Sequence, residues 1–274
     1  MSALAAGVSA RWLRLRGPAD EAARSRELVA RLRRALRPAN PLVVHDLGGG
    51  SGAMGRWLAP RLPGPQRWVV HDRDRELLEA AIAHPPPAAA DGGAVAVETR
   101  RCELARLGPD ELRGADLVVA SALLDILTTE ELVTIVDAWA ALTRCPLLVT
   151  LTVTGRVALA PADPLDTRFA AAFNAHQRRL TPAGRLLGAD APAAALRLLR
   201  GTGAQVAVRA SPWRLAADEA ELAAEWLLGW VAAACEQRPE LAEAAGAYLE
   251  RRLTQAAAGR LAVTVDHVDL LVLP

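Results

Sequence analysis

The chain is short of cysteine and of long uncharged apolar runs, and it has no lysine at all. Its three cysteines, Cys102, Cys145 and Cys235, stand far apart, with no CxxC and no Cys/His ligand spacing. That argues against a disulfide framework and a structural zinc site; no metal is expected, and a cytoplasmic, reducing setting is. No apolar stretch approaches the roughly 20 residues of a membrane-spanning helix. The longest, Cys145 to Gly155, is rich in Val, Leu and Thr and reads as a buried strand. Met1 to Ala10 lacks the basic start of a secretory signal, so none is expected. Neither sign of charge dominates: 32 basic residues, all arginine, face 31 acidic ones. Such a balance speaks against a large electrostatic footprint for nucleic acid or an anionic membrane. The arginine-only, alanine-rich composition fits a GC-rich coding sequence.

What is present is ample apolar material, 52% of 274 residues, enough for one large α/β domain with insertions. Leu28, Leu32 and Leu36 at four-residue spacing predict one amphipathic helix over 19–37, ended by Pro38 and Pro41. Strands are expected at 42–47, 68–71, 95–100, 116–120 and 147–153, with helices between them at about 52–62, 74–83 and 128–142. Thr128 followed by Glu131 has the form of a capping box. Strands alternating with helices predict parallel βαβ units, the sheet covered on both faces. The region 156–189 reads as irregular. Asp190 is placed to cap a helix ending at Gly201, followed by a strand at 205–210, helices at about 217–236 and 240–258, and a last strand at 261–273. Leu222, Trp226 and Trp230 share a helix face and read as core.

The chemistry concentrates at Val43-Val44-His45-Asp46-Leu47-Gly48-Gly49-Gly50-Ser51-Gly52, a strand running into a glycine turn and then a helix. Two parses compete. Gly50, Gly52 and Gly55 match GxGxxG, which seats a pyrophosphate on a helix N-terminus. The frame Gly48, Gly50, Gly52 with Asp46 before it resembles motif I of the class I S-adenosylmethionine-dependent methyltransferases. A pyrophosphate is anionic and is opposed by an acid at the strand end. S-adenosylmethionine carries an ammonium and a sulfonium, which a carboxylate favours. Asp46 therefore points to the methyl donor, and Gly55 becomes a glycine that packs helix on strand.

The resemblance implies a doubly wound, mostly parallel seven-stranded α/β sheet with an antiparallel last strand. A helical cap over 1–41 would precede a cofactor-binding domain over 42–274, with insertions at about 156–189 and 212–259. It implies a cofactor site made of Asp46, Leu47, Gly48, Gly49, Gly50 and Gly52 at the methionine end. Asp72 and Arg73 would stand by the ribose, Cys102, Glu103 and Leu104 by the adenine, and Ser121 against the cofactor after the fourth strand. Glu103 departs from the family's more usual Asp. A helix N-cap is the competing reading of Asp72, and a solvated loop acid that of Glu103. A further departure is the stretch of some fifty residues before the last strand, where the family has a short connection. Three roles stand open for it: covering the site, forming a homodimer surface, or extending the core.

Methyl transfer is an in-line displacement that depends on positioning, with a base needed only for a protonated nucleophile. The candidates are His176 as base, chosen because imidazole titrates near neutrality, and Asp125 to orient the acceptor. Phe173 and Asn174 would line its pocket, and Arg24 or Arg16 would meet a carboxylate. His267 reads as structural. The expected activity is methylation of O, N or C on a small molecule. The motifs of DNA amino- and cytosine-methyltransferases are absent. Two other readings stand open: an NAD(P)-dependent oxidoreductase using the overlapping GxGxxG, and an S-adenosylmethionine-binding protein without turnover.

Overall fold

The computed structural model describes residues 10–36, 40–142 and 144–274. Pro38 and the first nine residues lie outside this description. The amphipathic segment at the start forms two helices, α1 (Ala10–Ala23) and α2 (Arg26–Ala35), rather than one. The break has a local cause. Ser25 is extended (φ −70°, ψ 104°), its hydroxyl accepts from Leu28 N, and its own N–H donates to the Asp269 carboxylate at 2.7 Å. Leu28, Val29 and Leu32 bury the inner face of α2.

The first strand, β1 (Leu42–Leu47), is buried at all six positions, as a continuous apolar run in a doubly covered parallel sheet requires. The chain then alternates through α3 (Ala53–Leu58), β2 (Gln66–Asp72), α4 (Arg75–Ala83), β3 (Val95–Arg101), β4 (Leu117–Ser121) and α5 (Thr129–Ala140). The capping box forms as expected: Thr128 Oγ1 accepts from Glu131 N, and Glu131 Oε2 accepts from Thr128 N at 2.8 Å.

The segment after the fifth strand departs from expectation. β5 (Leu147–Ala160) runs seven residues past the predicted 153, through Gly155 at φ +77°. Residues 156–189, read as irregular, hold the end of β5, then α6 (Asp166–Gln177) and a small hairpin of β6 (Leu180–Thr181) with β7 (Gly184–Arg185). Then come α7 (Ala191–Gly201), β8 (Gln205–Ala210), β9 (Trp213–Leu215), α8 (Ala220–Gln237), α9 (Ala242–Ala257) and β10 (Ala262–Leu273). Asp190 occupies the N-cap position of α7 but does not cap it. Its carboxylate pairs with Arg178 instead, at 2.5 and 2.7 Å.

The main sheet has the order β3-β2-β1-β4-β5-β10-β8. β1 to β5 pair in parallel, and β10 inserts antiparallel between β5 and β8. An eighth strand was not foreseen: three-residue β9 pairs with Val263–Val265 of β10, below the length at which alternation is readable. One apolar core lies on each sheet face, the first around Leu28, Val44, Met54 and Trp68, the second around Leu47, Val118, Ile135 and Leu199. A third core forms beyond the sheet. There α6, α8 and α9 pack Phe169, Trp226, Trp230 and Tyr248 against the extension of β5 and against Trp213, and α1 joins them with Trp12 and Leu15. The helical insertion before β10 thus extends the core. Deep in it, Arg252 Nη2 donates to both carboxylate oxygens of Asp166, which also accepts from Tyr248 Oη at 2.7 Å.

Candidate active site

At the carboxyl edge of the sheet the chain turns through Gly48 (φ +62°), Gly50 (φ +53°) and Gly52 (φ +78°), backbone that favours glycine. A Cβ at Gly48 would stand 2.7 Å from Leu123 Cδ1, and one at Gly49 would stand 2.6 Å from Asp46 Oδ2. The turn is therefore closed against both the acid before it and the loop after β4. Gly55 abuts the Trp68 ring, consistent with a packing role.

Asp46 is fully buried, and neither carboxylate oxygen has a hydrogen-bond partner among the described residues. Burial pushes it up to about 7 against the pull of Arg24. Arg24 is buried as well. Its Nη2 donates to Ser121 Oγ at 3.1 Å, its Cζ lies 5.2 Å from the Trp57 ring, and its Nε has no partner. Burial pulls its guanidinium below the usual arginine range, while Asp20, Asp269 and Asp46 oppose that. Ser121 Oγ also accepts from Thr150 Oγ1 at 3.0 Å. A buried, unpartnered carboxylate and a buried, partly unpartnered guanidinium so meet where β1 and β4 end. Isolated, each would be costly; together they fit an amino acid group carrying both charges. A cavity of about 320 Å³ between α1 and the first turn of α3 reaches Arg24, with Arg14, Glu21 and Arg56 on its sides.

Asp72 ends β2 and ties down the glycine turn. Its Oδ2 accepts from Gly50 N and its Oδ1 from Asp74 N, both at 2.9 Å. Asp72 is not the helix cap; Asp74 caps α4 by accepting from Glu76 N and Leu77 N. Arg73 offers its carbonyl to Arg101 Nε. Cys102, Glu103 and Leu104 follow β3, with Cys102 N bonded to Asp72 O at 3.0 Å. Glu103 is exposed. Cys102 Sγ lies 3.6 Å from His71 Nδ1, and His71 Nε2 lies 3.0 Å from His45 Nδ1. Burial pulls His45 to about 4 and His71 to about 3, so this pair is neutral packing beneath the site.

The candidates on α6 do not join this group. His176 is buried toward α8, with Nε2 3.5 Å from Glu236 Oε2, and burial lowers it. Phe173 packs 6.5 Å from the Trp230 ring, and Asn174 Nδ2 donates to Gly155 O. None of their hydrogen bonds, ion pairs or ring contacts reaches the glycine turn; α6 uses them to dock on β5 and α8. Their spacing looked like a pocket because a helix docking a polar bulge needs the same mixture of residues. Asp125 sits on the single 3₁₀ turn Leu124–Ile126 after β4, two residues beyond the Leu123 that abuts the glycine turn.

Three further residues belong to the neighbourhood: Arg16, offered above for a carboxylate, His267, read above as structural, and Asp269, which the sequence reading left out. Arg16 is bidentate on Asp20 (2.8 and 3.1 Å) and lies 5.2 Å over the Trp213 ring, whose Nε1 donates to Asp20 Oδ1. His267 is buried 5.5 Å from that ring, its Nδ1 without a partner. Asp269 bonds Ser25 N and Leu151 N. The one legible signal was chemical: two acids and a histidine inside an otherwise apolar last strand.

No family model matches the sequence, and no curated protein matches it. Among solved structures, a cyclopropane synthase of Mycobacterium tuberculosis is 14% identical and superposes with a TM-score of 0.52, covering 97% of this chain and 95% of that one. A SAM-dependent methyltransferase from Thiobacillus denitrificans, in complex with S-adenosyl-L-homocysteine, is 17% identical over 97% and 99% of the two chains, TM-score 0.46. An O-methyltransferase family protein from Burkholderia thailandensis is 24% identical over 72% and 53%, TM-score 0.46. The first likeness shows the fold: the chain has the class I methyltransferase fold that its glycine turn implied.

Proposed function

We propose that this protein transfers a methyl group from S-adenosylmethionine to a small-molecule acceptor. The observation that carries the reading is a pair of buried charges by the glycine turn: Asp46, whose carboxylate has no partner among the described residues, and Arg24, whose Nε has none. The residues fit the donor group by group. Asp46 would hold its ammonium and Arg24 its carboxylate, beside the turn that Gly48 and Gly49 close tightly on Leu123 and Asp46. Asp72 and Arg73 would stand at the ribose, and Cys102, Glu103 and Leu104 at the adenine. When bound, the donor supplies an electrophilic methyl on a sulfonium; the chain's task is to orient an acceptor and keep water out. Among the described residues no helix is long and apolar enough to cross a membrane.

Calorimetry with S-adenosylmethionine, S-adenosylhomocysteine and NADH tests the reading. Both adenosyl ligands are expected to bind and NADH not to; NADH alone binding would replace the reading with the oxidoreductase one. Methyl-labelled donor with a metabolite pool then separates a transferase from a silent binder. Asp72→Ala is expected to weaken the donor by about tenfold or more, the worth of hydrogen bonds to a charged acceptor. Unchanged affinity would remove Asp72 from the ribose. Donor affinity also depends on pH. Asp46, held at about 7, must be ionised to meet the ammonium, so affinity is expected to climb from about pH 6 to about pH 8. A flat profile over that window would argue against contact between the two.

A further inference from the structure

The loop after β4 carries an acid for which donor binding has no use. We infer that the Asp125 carboxylate faces the methyl-transfer position and there accepts the proton of an acceptor bearing O–H or N–H at the methylated atom. The inference rests on the methyl-transfer reading above.

The chain leaves Ser121, which holds Arg24, through Ala122 in a left-handed conformation (φ +50°). Such backbone in a non-glycine residue is strained, and strain of this kind gathers at functional turns. The next residue, Leu123, lies so close to the glycine turn that a Cβ at Gly48 would meet its Cδ1 at 2.7 Å. Two positions on, Asp125 is half-buried, and among the described residues no other hydrogen-bonds or ion-pairs with its carboxylate. Arg16 of α1 acts on the charge of both Asp125 and His267, yet its own hydrogen bonds go to Asp20. His267 offers a free Nδ1 and, held to about 4 by burial and by Arg16 against Asp20, stays neutral. Arg16, which acts on Asp125, is thus already neutralised by Asp20, and the Asp125 carboxylate keeps its charge for a ligand.

Methylation of an O–H or N–H group releases one proton for each methyl gained, while the carbon–sulfur electron pair stays on sulfur. The Asp125 carboxylate takes that proton. Burial holds Asp125 at about 6, above the ordinary carboxylate range, so it is ionised at neutral pH and still a better base than an exposed aspartate. A carboxylate or phosphate as the methylated group would meet like charge.

Sinefungin, in which a carbon bearing an amine replaces the methylated sulfur, puts N–H donors at this position. Its affinity is compared with that of S-adenosylhomocysteine by calorimetry, in wild type and in Asp125→Asn. Wild type is expected to prefer sinefungin by about tenfold or more near neutral pH, the scale of a charge-assisted hydrogen bond. In Asp125→Asn that preference collapses while S-adenosylhomocysteine affinity stays put. In wild type it also fades below about pH 6 as the carboxyl protonates. Asp46 titrates too, but both ligands carry the same ammonium, so its effect cancels in the ratio. Preference retained in Asp125→Asn, or equal loss of both ligands, overturns the inference and leaves the donor reading standing. Failure of S-adenosylhomocysteine to bind wild type overturns the donor reading, and this one with it.

Discussion

Asp46→Asn is expected to cost donor affinity at least about 100-fold and, at the same time, to raise the stability of the free protein. The two effects share one cause. Asp46 is fully buried with no partner for either oxygen, and burial holds its carboxyl at about 7 instead of 3.8. A carboxyl whose folded value exceeds its unfolded value binds protons better in the native state. Its contribution is fully present below the unfolded value and is lost as pH rises through the folded one. Between about pH 4 and about pH 7 the free protein therefore loses stability from this site, on the order of 4 kcal/mol in the limit. Asparagine keeps the shape and removes the charge. Arg24 then loses one of its three neighbouring acids but keeps Asp20 and Asp269, so the net gain is smaller than that limit. Denaturant melts at about pH 8 are expected to show the variant more stable than wild type, and at about pH 4 the two should converge. Ligand binding reverses the ranking, because only the carboxylate can answer an ammonium there. A variant that binds the donor normally, or one less stable than wild type at high pH, would take Asp46 out of the site.

Much of this was readable from residues because the relevant physics is local. β1 falls on residues 42–47 as expected, since a run buried on both faces announces itself without partners. Thr128 and Glu131 cap α5 through groups three residues apart. The glycine turn and its acid are contiguous, so motif and geometry coincide. The misses share the opposite property. The split between α1 and α2 depends on Asp269, some 240 residues away in sequence, taking the N–H of Ser25. β9 exists only because β10 runs past the sheet to meet it. The continuation of β5 beyond Gly155 was hidden by a glycine that reads as a break and in fact sits in a bulge against Asn174. His176 shows the converse case. Its chemistry suggested a base, but a histidine at helical spacing with Phe169 and Phe173 is placed by their packing, and it follows them toward α8. Arg16 and Asp20 pair one turn apart within α1, but they approach His267 only after the cap folds over β10, which no spacing encodes.

Asp269 should accordingly be the most damaging single position outside the donor contacts. Its Oδ1 accepts from Leu151 N at 2.8 Å and its Oδ2 from Ser25 N at 2.7 Å. Leu151 is buried in a left-handed conformation (φ +57°) that costs an L-residue about 1–2 kcal/mol, and the bond to Asp269 is what offsets that strain. Asp269→Ala strands both N–H groups, each at about 1–3 kcal/mol. Loss of the buried carboxylate's own desolvation cost returns part of this, since burial raises the Asp269 carboxyl. A net loss of about 3 kcal/mol is expected, a large share of the roughly 5–15 kcal/mol that holds a domain together. Asp269→Asn keeps one acceptor, turns an N–H donor toward the other, and should fall between. The functional effect is separable from the stability effect. Ser25 caps α2 and follows Arg24 directly, so releasing it frees Arg24 from Ser121 Oγ. Donor affinity should fall about tenfold, the worth of a charge-assisted hydrogen bond, although Asp269 touches no part of the donor site. Hydrogen exchange should quicken at residues 24–29 and 149–153 and stay at wild-type rates in β1 and β2. Uniformly faster exchange would mean that Asp269 only stabilises the sheet; a change confined to those two segments would mark it as the link between the helical cap and the edge of the sheet where the donor binds.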